Sequence, residues 1–264
     1  MNILLVNDDG IESIGIRILA EALCADHNVC IIAPEQERSA AGHSYSFSMP
    51  LRFKKYTKFD TDRFEAYSTS GTPCDCVLLG IQKFGKEGID LIISGINAGA
   101  NIGTDIPASG TVSAAQEGII QGIPALAVSQ EIHSLMSAED YWKYYEFDAE
   151  YIHDFISGFD VRTLNDYILN INFPCIDKSE IKGEKVCPMG KSWNDFFYHA
   201  QDDYLGRTFY WVDVNRTPKE YNMIFSTDAK WLEEGYITYT PLGIDMTLYS
   251  KIDEVNGFIS QETD

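Results

Sequence analysis

Base is scarce in this sequence, and the cysteine and histidine patterns that hold zinc or staple a fold are missing from it. Twenty Lys and Arg stand against forty Asp and Glu, a net charge of −20. Polyanions bind to basic patches, so a nucleic-acid polymer is excluded as partner. A small phosphorylated substrate stays open to the chain, provided a metal ion supplies the positive charge. Most of the acids read as solvated surface. The six cysteines (Cys24, Cys30, Cys74, Cys76, Cys175, Cys187) make no C-x-x-C, and the chain is too large to need disulfides, so reduced thiols are expected. His27, His43, His133, His153 and His199 show neither H-x3-H nor H-E-x-x-H spacing, which argues against zinc. No apolar run approaches the roughly eighteen residues of a membrane helix. The first apolar run meets two acids after four residues, unlike a secretory leader. A soluble, cytoplasmic protein with no membrane partner is expected.

What is present is a globular composition: 264 residues, 45% hydrophobic and 12% aromatic, enough for a large core. Asn2–Val6 reads as a strand buried on both faces, as at the centre of a parallel sheet. Apolar positions at helical spacing predict a helix over about 14–25, and a second buried strand, 29–33, ends at Pro34. A polar loop (35–43) and a loosely alternating stretch (44–70) suggest strands or a hairpin at the sheet edge. Thr72-Pro73-Cys74-Asp75 predicts a capped helix to about Phe84. The strand at 90–94 leads into a glycine-rich loop, 95–105, then a helix at about 111–121 and a strand at 125–129. Ser137-Ala138-Glu139-Asp140 opens a helix to about Gly158, and a strand at 167–173 closes at Pro174. Residues 181–214 turn aromatic and polar and read as hairpins or an arm. A short helix capped at Thr227-Asp228, a last strand (236–240) and a polar tail (243–264) follow. Strand-helix-strand units imply an α/β fold: a Rossmann-like open, mostly parallel sheet flanked by helices. The composition shift divides a core, 1–180, from a C-terminal part, 181–264.

Buried strands feed three polar segments: Asp8-Asp9, Ser39, and Asn97 through Thr111. In an open parallel sheet the loops at the carboxyl ends of the strands gather at one edge, where ligands bind. Asp8 and Asp9 repel each other unless something positive sits between them, although Asn-Asp-Asp-Gly also suits a plain turn and helix cap. Carboxylate, hydroxyl and amide oxygens without thiolate or imidazole suit a hard cation. Residues 95–111 end on a helix start, whose free N–H groups favour anions. No P-loop or G-x-G-x-x-G occurs, so neither a Walker nor a dinucleotide site is indicated. A metal beside an anion-binding helix start fits hydrolysis of a phosphate ester.

The motifs then become recognisable as a set. Asn7-Asp8-Asp9-Gly10, Arg38-Ser39-Ala40, Gly71-Thr72-Pro73-x-Asp75, Ser94-Gly95-Ile96-Asn97-x-Gly99-x-Asn101 and Ser109-Gly110-Thr111-Val112 strongly resemble the SurE family of stationary-phase survival nucleotidases. Leu169–Pro174, Trp193-Asn194-Asp195 and Gly235–Leu242 extend the likeness over nearly the whole chain. The resemblance implies a metal-dependent phosphatase acting on nucleoside 5'-monophosphates, with 3'-nucleotides and short polyphosphate sometimes accepted. It implies Asp8, Asp9, Ser39 and Asn97 as ligands of a divalent cation, Mg²⁺ or Mn²⁺. It also implies a C-terminal hairpin and tail extension that joins subunits into a homodimer or homotetramer. The pattern departs at Ala108, where many relatives carry Tyr, and at Ser113, where Gly is common.

On this reading the cation draws in a phosphate oxygen and acidifies a water. Gly110 and Thr111 N–H groups, with Asn101 and Ser109, hold the phosphate oxygens. Asp8 and Asp9 are the catalytic pair: either Asp9 takes the proton or Asp8 is a nucleophile, and both stay open. His43 either touches substrate or bonds backbone. The aromatic stretch 193–211 is read as a subunit interface. The rival from another class is a receiver-like, non-enzymatic signalling module, which also starts with a strand ended by paired acids. It would need a phospho-accepting Asp where this chain has Asn97, and a chain about half as long.

Overall fold

The computed structural model describes residues 1–59, 61–133, 141–191, 195–215 and 226–260. In chain order its elements are β1 (Asn2–Val6), α1 (Ile14–Leu23), β2 (Asn28–Pro34), β3 (Phe53–Lys55), β4 (Glu65–Thr69), α2 (Pro73–Phe84), β5 (Leu91–Ala98) and α3 (Gly110–Ile120). There follow β6 (Ala125–Gln130), α4 (Trp142–Gly158), β7 (Tyr167–Phe173), β8 (Glu184–Val186), β9 (Asp195–Asp202), β10 (Thr208–Asn215), α5 (Asp228–Glu233), β11 (Ile237–Gly243) and α6 (Ile252–Ser260).

Nine strands form one sheet in the order β3-β4-β2-β1-β5-β6-β7-β11-β8. Pairing is parallel except between β3 and β4 and between β7 and β11. The strands that read as continuous apolar runs, β1, β5 and β6, lie at the centre and are buried. The Rossmann-like, mostly parallel sheet flanked by helices is as expected. The alternating stretch 44–70 supplies the edge strands β3 and β4.

Two helix pairs cover the sheet: α1 packs on α4, and α2 packs on α3. Stepping from β1 to β2 runs against the direction from β5 to β6, so right-handed crossovers put α1 and α3 on opposite faces. The step from β6 to β7 goes the same way as that from β5 to β6, yet α4 lies with α1. The β6–α4–β7 crossover is therefore left-handed, against the usual rule. It brings the start of α4 to the face where α1 begins.

Local chemistry fixes the helix starts. Ser13 caps α1 by accepting from Ile16 N, and Thr72 and Asp75 complete a capping box on α2. Gly15 is required by close approach, since a Cβ there would meet Ile96 O at 2.2 Å. The strand expected to stop at Ser94 continues to Ala98 through a register shift between Ser94 and Asn97. Gly95 (φ 138°) permits this, because a Cβ there would meet Val128 O at 2.2 Å.

The C-terminal part divides. Strands β8 and β11 join the main sheet, and β11 runs three residues beyond the expected Thr240. Strands β9 and β10 form a separate antiparallel ribbon, the expected arm. The tail, read as polar, contains α6, whose Val255, Phe258 and Ile259 are exposed. The helix start expected at 137–140 and the motif residues Trp193 and Asn194 lie outside the described residues. No described helix is long and apolar enough to cross a membrane.

Candidate metal and phosphate site

β1 ends at Val6 and the chain turns at once. Asn7, fully buried, accepts from Gly10 N (3.2 Å) and donates to Gly10 O (2.9 Å) and Ser13 Oγ (3.0 Å). This turn, closed by Gly10 at φ 97°, holds Asp8 and Asp9 at the carboxyl edge of the sheet.

Asp8 is buried against the first turn of α3. Its Oδ1 accepts from the Thr111 hydroxyl (2.5 Å) and its Oδ2 from Thr111 N (3.2 Å). Gly110 N–H acts on the same carboxylate. A Cβ at Gly110 would lie 2.8 Å from Asp8 Oδ2, so only glycine allows this approach. The anion seated at the start of α3 is thus Asp8 itself. Burial pushes the Asp8 carboxyl above the usual carboxylate range, against the opposing pull of these hydrogen bonds.

Asp9 leans the other way, its Oδ2 accepting from Ala98 N at the end of β5 (3.0 Å). Burial first, then the neighbouring Asp8 carboxylate, push its carboxyl up to about 7. Among the described residues no cation acts on either acid.

The other two expected ligands come from adjacent segments. Arg38 N donates to Asp8 O (2.7 Å), tying the loop that carries Ser39 to β1. The Ser39 hydroxyl, exposed, donates to Glu37 Oε1 (2.5 Å). Asn97 donates its Nδ2 to Gly99 O (2.6 Å), which leaves its amide oxygen for a ligand. Among the described residues no cluster of three His, Cys, Asp or Glu side chains could hold a metal ion. A cation here would therefore rest on two carboxylates completed by amide and hydroxyl oxygens. Two adjacent acids, one buried and one half-buried, without a positive partner among the described residues fit a hard dication in chemistry and in charge.

The residues expected to contact phosphate are engaged within the protein. Ser109 caps α3, accepting from Val112 N (3.1 Å), and Thr111 serves Asp8. Asn101 is buried between strands: its N–H donates to Asn172 Oδ1 (2.8 Å) and its Nδ2 to Ser129 Oγ (2.9 Å). Asn170 and Asn172 in turn donate to Asn101 O. His43 and Tyr45 both donate toward Glu117 Oε2 of α3, at 2.8 and 2.7 Å. Glu117 thus anchors the Ser39 loop to the helix that orients Asp8. The Glu117 anchor was not drawn from the sequence, where a Glu inside an apolar helix stretch was its one signal. Asp228 was read only as a helix cap; it also accepts from Gly103 N (2.9 Å) and Gly190 N (2.7 Å), bracing the glycine-rich loop.

These features define a class: an open α/β protein with two adjacent acids at the carboxyl edge of its sheet, one of them abutting a helix start. Comparison with known proteins agrees. The family model described as "Survival protein SurE" matches residues 3–195. A relative from Clostridium botulinum (strain Alaska E43 / Type E3), named 5'-nucleotidase SurE, is 40% identical over 257 residues, 97% of this chain and 98% of that protein. One of the same name from Thermosipho africanus (strain TCF52B) is 40% identical over 253 residues, 94% of this chain and 93% of that protein. The crystal structure of the SurE protein from Aquifex aeolicus matches with a TM-score of 0.76 at 34% identity, covering 98% of this chain and 99% of that one. The chain belongs to the SurE family.

Proposed function

We propose that this chain is a metal-dependent nucleotidase that hydrolyses nucleoside 5'-monophosphates to nucleoside and phosphate. The observation that carries the reading is a pair of adjacent carboxylates without a cation partner among the described residues, Asp8 buried against the start of α3 and Asp9 half-buried at the end of β5. The SurE relatives named as 5'-nucleotidases support it. Asp8, Asp9, Ser39 and Asn97 would hold the cation, with Mg²⁺ or Mn²⁺ suited to all-oxygen ligands. When bound, a divalent cation there polarises a phosphoryl oxygen and makes a water acidic enough to attack near neutral pH.

The protein's own residues do the rest. Thr111 fixes Asp8 through both carboxylate oxygens, which leaves Asp9 the better placed of the two to take a proton. The ester's anionic head would lie at Gly110 and Thr111, sharing or replacing the donors now given to Asp8, with Asn101 and Ser109 bracing that turn through their bonds within the protein. 3'-Nucleotides and short polyphosphate present the same head.

The exposed Phe196, Tyr198, Tyr210 and Trp211 of the β9–β10 arm support a homodimer or homotetramer. The six free cysteines fit a reducing cytoplasm. The test is phosphate release from a nucleotide panel after EDTA treatment, with each divalent cation then restored. Activity is expected to vanish with EDTA and return with Mg²⁺ or Mn²⁺. Asp8→Asn and Asp9→Asn are each expected to abolish it, and near wild-type turnover in either would break the assignment.

A further inference from the structure

A hollow of about 420 Å³ opens beside Asp9. Its walls are Ile14 and Gly15 in the first turn of α1, Ala98 at the end of β5, Ile132 after β6, and Tyr141 and Tyr145 at the start of α4. The left-handed crossover brings the two tyrosines to this place. We propose that this hollow receives the base of the substrate, so that the enzyme selects nucleoside monophosphates over plain sugar phosphates. The proposal rests on the nucleotidase reading and adds to it the position and chemistry of base recognition.

Four observations carry it. The hollow is continuous with the cation site, because Asp9 lines both and Ala98, whose N–H holds Asp9 Oδ2, forms part of the wall. An ester whose head is held by a cation on Asp8 and Asp9 would direct its alcohol portion toward this mouth. The lining is two phenol rings and two branched aliphatic chains, the surface a flat heterocycle buries well, and the volume falls within the usual range for small-molecule sites.

Charge narrows the occupant further. Among the described residues the ionisable acids at the rim are Asp9 and Glu12, and no Lys or Arg lines the hollow. A second phosphate is repelled there, whereas a neutral ring system is not.

The polar groups are also arranged for a heterocycle. The Tyr141 hydroxyl accepts from His133 N (2.7 Å) and donates to His133 O (2.5 Å), which fixes its ring before any ligand arrives. The Ser13 hydroxyl accepts from Asn7 Nδ2 (3.0 Å) and Ile16 N (3.4 Å) and, among the described residues, donates to no group. Its hydrogen is available to a ring nitrogen or carbonyl of the base.

The experiment compares kcat/KM for adenosine 5'-monophosphate with that for ribose 5-phosphate, which carries the same ester but no base. Ile132→Trp fills the hollow and Tyr145→Leu removes a ring, each in the full chain with its fold checked by thermal melting. The ratio is expected to fall about tenfold or more in both, the scale of losing one base–aromatic contact. An unchanged ratio, with both substrates slowed equally or not at all, overturns the proposal. Photolabelling of the wild-type chain with 8-azidoadenosine gives a second, independent reading. Label on peptides containing Tyr141 or Tyr145 supports the hollow, and label confined elsewhere rejects it even if the variants do not fold. Should the wild-type chain release phosphate from no nucleotide, the nucleotidase reading fails on its own account, and the labelling still judges the hollow.

Discussion

Asp9 keeps its proton in the fold up to about pH 7, whereas in the unfolded chain it gives it up near pH 4. Across that window the native state binds more protons, so stability falls as pH rises. The chelated protein is expected to show a declining Tm from about pH 4 to 7, and Asp9→Asn to flatten that slope. Divalent cation should reverse it by binding the deprotonated form. Thermal melts with EDTA and with Mg²⁺ check both points, and a slope unaltered by Asp9→Asn would remove the assigned cause. Gly110→Ala tests the approach of α3 to Asp8. A methyl 2.8 Å from Oδ2 displaces the carboxylate, and a misplacement of that kind is expected to cost on the order of a hundredfold in kcat. The acids were legible because two carboxylates ending an apolar run violate simple electrostatics. The engagement of Asn101 was not, because its partners Ser129, Asn170 and Asn172 lie on strands whose pairing no local pattern reveals.

Helix α4 carries a polar group that the site does not use. Asp148 is fully buried, and neither of its oxygens has a hydrogen-bond partner among the described residues. Burial pushes its carboxyl well above the usual range. Its proton is retained on folding above about pH 4, so its contribution to stability also declines with rising pH. Asp148→Asn is expected to leave Tm unchanged near pH 4 and to raise it progressively toward pH 8, read by differential scanning calorimetry. Equal shifts at both pH values would show that packing, and not ionisation, sets the cost. Most elements were legible from periodicity and caps, as with Thr72–Asp75 on α2. Strand β5 ran past its expected end because Gly95 allows a kinked chain to stay paired. The side taken by α4 was hidden, since an amphipathic stripe records a buried face but not which face of the sheet buries it.

At the scale of the whole molecule, a chain of net charge −20 hydrolyses an anion on this reading. Long-range repulsion then slows encounter, and salt screens it beyond a Debye length of about 10 Å at 0.1 M. With cation saturating, kcat/KM is expected to rise as NaCl increases from low to physiological strength. A fall in steady-state rates over that range would point to a local attractive field that the described residues do not supply. Composition predicted this balance, and the motif order predicted the architecture. The partition of 181–264 between the main sheet and the arm came only from long-range pairing of β8 and β11.

The unusual handedness at α4 has a consequence for how the enzyme would lose its function. The parts that handle the anionic head sit on the central strands and the helix directly behind them, the most deeply held region of the chain. The tyrosine wall meets the wall from α1 where α1 and α4 pack together, and those helices are more than a hundred residues apart in sequence. Warming or mild denaturant that loosens this seam would first make the catalyst indiscriminate, cleaving simple phosphate esters as readily as nucleotides, and only later make it inert.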